Sequence, residues 1–162
     1  MPNAIMRKFM DSTANNKLRE MIKRHEGIRL SPYFCSKNHQ TIGYGWNMDA
    51  HKLPDDIAAC LRVTGSITEN MADRLLNISI TVAMDDCRSV YRGFDSFSEV
   101  RQAALSDFMF NVGSKVAMKF KKMRAAIEAG DWSKAADEMT SSAWFSQVGD
   151  RSSEIVGMVR TG

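Results

Sequence analysis

A chain of 162 residues with 22 Lys+Arg against 19 Asp+Glu carries a net charge of +3, and 44% of it is hydrophobic. That length suits one domain with a real core, or two small lobes sharing one. The small positive excess favours anionic surfaces. Without an arginine-rich stripe, zinc-finger spacing or RNA-binding signature it does not argue for nucleic acid. No run approaches the ~20 apolar residues of a membrane helix, and the start MPNAIMRKFMDSTANN lacks the continuous apolar segment of a secretory signal.

In chain order, residues 1–15 read as an N-terminal extension, and a first helix runs from about Asn16 to His25 on a Leu18, Met21, Ile22 stripe. Gly27 is its left-handed stop. Ile28 to Trp46 reads as two or three short strands with turns at Pro32, Ser36, Asn38, Gly43 and Gly45. A short helix follows Pro54. The longest helix opens at Ser66-Ile67-Thr68-Glu69, where Ser66 with Glu69 spells a capping box and Thr68 is a competing cap. Met71, Leu75, Ile78 and Val82 form its expected buried stripe, which Cys87 and Val90 extend to Gly93, so Cys87 reads as core.

The remainder is helical. Ser96-Phe97-Ser98-Glu99 is a second capping box, ahead of a core face of Val100, Ala104, Leu105, Phe108 and Val112 that ends at Gly113. One helix is expected to carry Val116, Phe120, Met123 and Ile127 to Gly130. Asp131 caps another holding Trp132, Ala135 and Ala136. Trp144 and Phe145 precede Gly149, and a last helix runs from Arg151 to Val159. Three cysteines, at 35, 60 and 87, with no CxxC, fit free thiols in a protein made in the cytosol. A Cys60–Cys87 bridge stays open for an oxidising compartment.

The stretch HEGIRLSPYFCSKNHQTIGYGW, from His25 to Trp46, carries the chemistry. Glu26 falls at a helix C-terminus, where partial negative charge disfavours an ionised carboxylate and so suits a general acid. A single Glu there is ordinarily just a solvated surface residue. Cys35 reads either as apolar filler or as a reactive thiol, since Lys37 and His39 lie close and positive charge favours thiolate. Thr41 is by default a strand residue. A Cys–His peptidase using Cys35 with His39 or His25 is one rival, and a metal site from His25, Glu26, Cys35 and His39 another.

Glu26, then Cys35, then Thr41 running into TIGYG resembles the active-site signature of phage-type lysozymes, glycoside hydrolase family 24. Members carry Glu, then Asp or Cys, then Thr at these intervals. The resemblance continues through SITENMADRLL, RQAALSDFMFNVG, AGDWSKAADEM, SAWFSQVGDR and MVRTG, covering the chain from about Leu18 onward. It implies an α+β, mostly helical, two-lobed fold. A small β-hairpin lobe at about 16–66 is joined by a long helix at about 67–92 to a helical lobe at about 93–162.

The implied activity is that of an endo-acting muramidase cutting the β-1,4 bond between N-acetylmuramic acid and N-acetylglucosamine in peptidoglycan. Glu26 matches the general acid and Arg151 its arginine partner. Asn111 and Gln147 match cleft positions that bind sugar substituents, and Phe110 is wall or core. Cys35 stands where the best-known form has Asp. The expectation is that Cys35 and Thr41 activate water; attack by the thiol itself on the sugar carbon would change the stereochemical course. The resemblance implies no cofactor and no metal, a monomer, peptidoglycan strands as partner, and no membrane insertion. It suggests a lysis enzyme held in the host cytoplasm until another protein's membrane lesions admit it to the wall, or a virion component, or a bacterial protein of prophage descent. The non-enzymatic rival is a wall-binding or virion structural protein on the same scaffold.

Overall fold

A computed structural model describes residues 4–162, with side chains from residue 15 onward. The chain folds into two compact units, one of Arg19–Ser79 and the other of Ile80–Gly162 with the part of the first helix up to Leu18. The fold is α+β and mostly helical, with one small antiparallel sheet.

Helix α1 spans Ala4–Glu26. It starts well before the expected Asn16, so the extension foreseen over 1–15 is helical from Ala4; residues 1–3 lie outside the described residues. The stretch has no Gly or Pro to break it, and its Ser, Thr and Asn each cost only a few tenths of a kcal/mol in a helix. Leu18, Met21 and Ile22 are buried as expected. Lys23, Arg24 and His25 complement the dipole of the last turn. Gly27 ends the helix at φ 65°, its N–H donating to Lys23 O at 3.0 Å.

Three strands follow, β1 Arg29–Phe34, β2 Gln40–Gly43 and β3 Trp46–Asn47, in sheet order β1-β2-β3. Arg29 pairs with Gly43, Tyr33 with Thr41, and Phe34 with Gln40, with an irregularity between Arg29 and Tyr33. Pro32, which has no N–H to give a ladder, lies inside that irregularity. Helix α2, Asp55–Thr64, has Pro54 at its N-cap and Gly65 in the left-handed conformation at its end. Ile42, Trp46, Leu53, Ile57, Ile67, Ala72 and Leu75 form the core of this unit.

Helix α3 spans Glu69–Val90 and crosses the division between the units. Thr68, not Ser66, caps it: the Met71 N–H donates to Thr68 Oγ1 at 3.2 Å. The expected stripe is corrected as well. Ile78 and Val82 are exposed, and the buried line runs through Ala72, Leu76, Ile80, Ala83, Cys87 and Val90. Both lines satisfy helical spacing. The line with the small residues wins because a small side chain admits close backbone packing: an added Cβ on Gly43 would sit 3.5 Å from the Cβ of Ala72.

The other unit centres on α4, Glu99–Val112, whose middle is buried all round from Gln102 to Met109. Its cap is Ser98, which accepts from the Arg101 N–H, rather than the expected Ser96. The single helix expected from Val116 to Ile127 is two, α5 Ser114–Ala117 and α6 Lys121–Glu128, and Val116 is exposed while Ala117 is buried. Phe120 leaves helical geometry at the break and packs edge-on against Phe108, ring centroids 5.2 Å apart. Helix α7, Trp132–Thr140, is capped by Asp131 as expected; α8, Ala143–Val148, is capped by Ser142; and α9, Asp150–Thr161, packs on α4, α7 and α8. Among the described residues no helix is long and apolar enough to cross a membrane.

Candidate active site

In the smaller unit, the end of α1 brings Glu26 beside the β2–β3 turn. An added Cβ on Gly45 would lie 3.2 Å from Glu26 Oε2, and Gly45 has φ 82°, so only glycine lets the backbone pass this carboxyl. The half-buried carboxyl is thus flanked by main chain. Cys35 starts the β1–β2 turn. Its N–H donates to His39 O at 3.0 Å, and its carbonyl accepts from the Asn38 N–H at 2.8 Å, with Asn38 left-handed at φ 59°.

That turn favours the ionised sulfur. The His39 backbone N–H has the largest effect in holding the Cys35 thiol below its ordinary range. Burial opposes it, and the Lys37 N–H and Thr41 hydroxyl add to it. Thr41 is 4% exposed, and its Oγ1 donates to His39 O at 2.9 Å. A hydroxyl has one proton, so it serves the carbonyl or the sulfur at any moment, not both.

His39 offers Cys35 its backbone, while its ring Nδ1 lies 3.7 Å from Asp49 Oδ2. Among the described residues no three His, Cys, Asp or Glu side chains converge as a metal site would require. All three cysteines are free. Cys60 donates to Ser66 O at 3.6 Å, and Cys87 is buried, as expected of core.

In the helical unit, Arg151 sits at the start of α9 and donates from Nε to Asp107 Oδ1 at 2.7 Å, with side chains 9% and 0% exposed. Its guanidinium carbon lies 6.0 Å from the Phe110 ring centre. Asn111 Oδ1 accepts from Trp144 Nε1 at 2.9 Å, which fixes the amide so that its NH2 is the group left to donate. Gln147 is exposed on α8. Asp107 went unread in the sequence. The signal was there: a carboxylate set among Leu105, Phe108 and Met109 on a buried helix calls for a cation. A pocket of about 370 Å³ opens elsewhere in this unit, between Arg92, Phe97, Arg101 and Trp132, and includes none of the site residues expected from the sequence.

A helix-and-hairpin unit bearing an acid, a thiol and a hydroxyl in that order, with an all-helical second unit, defines a lysozyme-like α+β protein. The phage lysozyme family model matches residues 23–161, and the chain belongs to that family. It is 29% identical over 166 residues to the pre-baseplate central spike protein Gp5 of Enterobacteria phage T4, covering 94% of this chain and 29% of the spike protein. The chain therefore spans less than a third of that relative. It is 23% and 25% identical to the probable T4-type lysozymes 2 and 1 of Dictyostelium discoideum, covering 91% of this chain and 95% of each.

Proposed function

We propose that this protein is a glycosidase of the lysozyme type, an endo-acting muramidase that hydrolyses the β-1,4 bond between N-acetylmuramic acid and N-acetylglucosamine in peptidoglycan. The observation that carries this reading is the placing of Glu26 against the Gly45 turn, on the hairpin that also bears Cys35 and Thr41, in a chain of the phage lysozyme family.

Glu26 protonates the bridging oxygen as the sugar bond breaks. Cys35, ionised with the help of the turn's N–H donors, takes a proton from water, and Thr41 positions that water. A thiol here replaces the second carboxylate of the better-known form. Arg151, Asn111, Gln147 and Phe110 enter the proposal as the acid's partner and as sugar contacts. Their support is the family pattern, together with the Asp107 and Trp144 bonds that fix Arg151 and Asn111 in place.

A reducing-end assay on purified peptidoglycan tests the reading. Glu26→Gln should lower turnover by about a thousandfold, equivalent to roughly 4 kcal/mol of barrier. A correctly folded Glu26→Gln protein that cleaves normally would remove Glu26 as the acid. The relation to a spike protein favours a second reading, wall binding by a virion component without hydrolysis. Tight binding with no reducing ends released from the wild type would establish it.

A further inference from the structure

Charge is unevenly spread along this chain. Residues 114–127, which make α5, the link after it and nearly all of α6, hold Lys115, Lys119, Lys121, Lys122 and Arg124 and no acid. The whole chain is only +3, so everything outside this stretch sums to a net negative charge. The first acid beyond it is Glu128, the last residue of α6.

The stretch is anchored from beneath. Ala117, Met123, Ala126 and Ile127 are buried, Phe120 packs on Phe108, and Arg124 donates from a terminal guanidinium nitrogen to Met118 O at 3.4 Å. Arg124 therefore ties the two helices together, and the four lysines remain on the outside, all exposed. Among the described residues none of the four forms an ion pair, whereas Lys23 and Lys52 each hold an aspartate. Like charges crowded into so short a segment repel one another, and an anionic partner removes that cost.

Two apolar side chains lie among the lysines. Val116 is 39% and Met118 45% exposed, both between Lys115 and Lys119 in sequence. A face made for water or for a soluble polyanion gains nothing from them. At a bilayer surface both kinds of side chain find a partner: lysines meet anionic headgroups, and apolar neighbours enter the acyl boundary.

We propose that α5 and the first turn of α6 form a docking surface for an anionic lipid bilayer, with Lys115, Lys119, Lys121 and Lys122 on the headgroups and Val116 and Met118 set between them. The contact is peripheral and does not rest on the muramidase reading.

Co-sedimentation of the full chain with vesicles tests it. The protein should bind vesicles of phosphatidylglycerol mixed with phosphatidylcholine and ignore vesicles of phosphatidylcholine alone. Raising salt from about 0.1 M to about 1 M should weaken that binding, because the screening length falls from ~10 Å to ~3 Å. Each lysine should contribute about fivefold, so Lys115→Gln with Lys119→Gln should lower the partition constant about twentyfold. Lys17→Gln with Lys52→Gln removes two charges elsewhere and should change it little. Val116→Ser with Met118→Ser should lower vesicle binding about tenfold while leaving binding to soluble polyphosphate unchanged. All of these side chains are exposed, so each variant should keep the urea midpoint of the parent.

A wild type that fails to bind the anionic vesicles overturns the proposal. An equal loss in the Lys17 and Lys52 control overturns it too, because net charge alone would then explain the binding. Vesicle binding unmoved by the serine pair would make the surface a polyanion site and not a bilayer one. Vesicles hold no glycan, so none of these failures touches the proposed hydrolysis, which the reducing-end assay decides by itself.

Discussion

Cys35 is surrounded by hydrogen-bond donors rather than by formal charge. The sequence pointed to Lys37 and His39 as cations, but the turn uses their backbone N–H groups, with His39 contributing most. The direction is the one a base requires. A lowered pKa means that thiolate appears at lower pH than the ordinary thiol value of ~8.5. Cys87 goes the other way: burial pushes it up to about 12, with the Ser106 hydroxyl donating to its sulfur at 3.8 Å. Labelling near neutral pH should therefore modify Cys35 and leave Cys87 untouched. If thiolate is the base, activity rises with pH through the Cys35 midpoint. Cys35→Asp replaces that limb by one in the carboxylate range, near ~4, so the variant should stay active several pH units lower. Cys35→Ala should lose most activity at every pH. A Cys35→Asp profile that coincides with the wild type would remove residue 35 from the base role.

Among the elements, helix starts separate the possible from the realised cap. Two serines precede α4, and both spell a cap in sequence. Ser98 caps, while Ser96 donates to Gly93 O at 2.6 Å in the short 3-10 turn Phe94–Ser96. Ser98→Ala should cost about 1 kcal/mol in urea denaturation. Ser96→Ala should cost less, since it removes no helix cap; the reverse order would contradict the cap assignment. The same ambiguity arose at Ser66 and Thr68, because a capping pattern names a four-residue window and neighbouring hydroxyls compete within it. Element type was readable almost throughout: α1, the strands, α2, α4, α7 and α9 follow apolar spacing and glycine stops. Two features were not. The buried line of α3 favours alanines over larger side chains, and the α5–α6 break has no Gly or Pro to announce it. Both depend on what packs against them, Gly43 in one case and Phe108 in the other, and a single element carries no record of that.

Across the whole molecule, the candidate residues divide between the units. Glu26, Cys35 and Thr41 belong to the helix-and-hairpin unit, and Phe110, Asn111, Gln147 and Arg151 to the helical one. The order of these motifs was readable because each is local; the bonds that hold them, Arg151 to Asp107 and Trp144 to Asn111, join distant segments and were not. Each unit has apolar residues buried within it, but the cores differ in kind. The smaller unit relies on a short list, with Ile57 of α2 and Ile42 of β2 fully buried. The other is built round a helix buried on all sides. A short, irregular sheet and a small apolar core place the smaller unit at the low end of local stability. Ile57→Ala leaves a cavity in that short list and should cost about 2–5 kcal/mol there. Native-state hydrogen exchange should then show amides of β1, β2 and α2 losing protection while those of α4 and α9 keep theirs. Equal loss in α4 and α9 would mean that the chain opens as one cooperative body and that the Glu26–Cys35–Thr41 hairpin has no stability of its own.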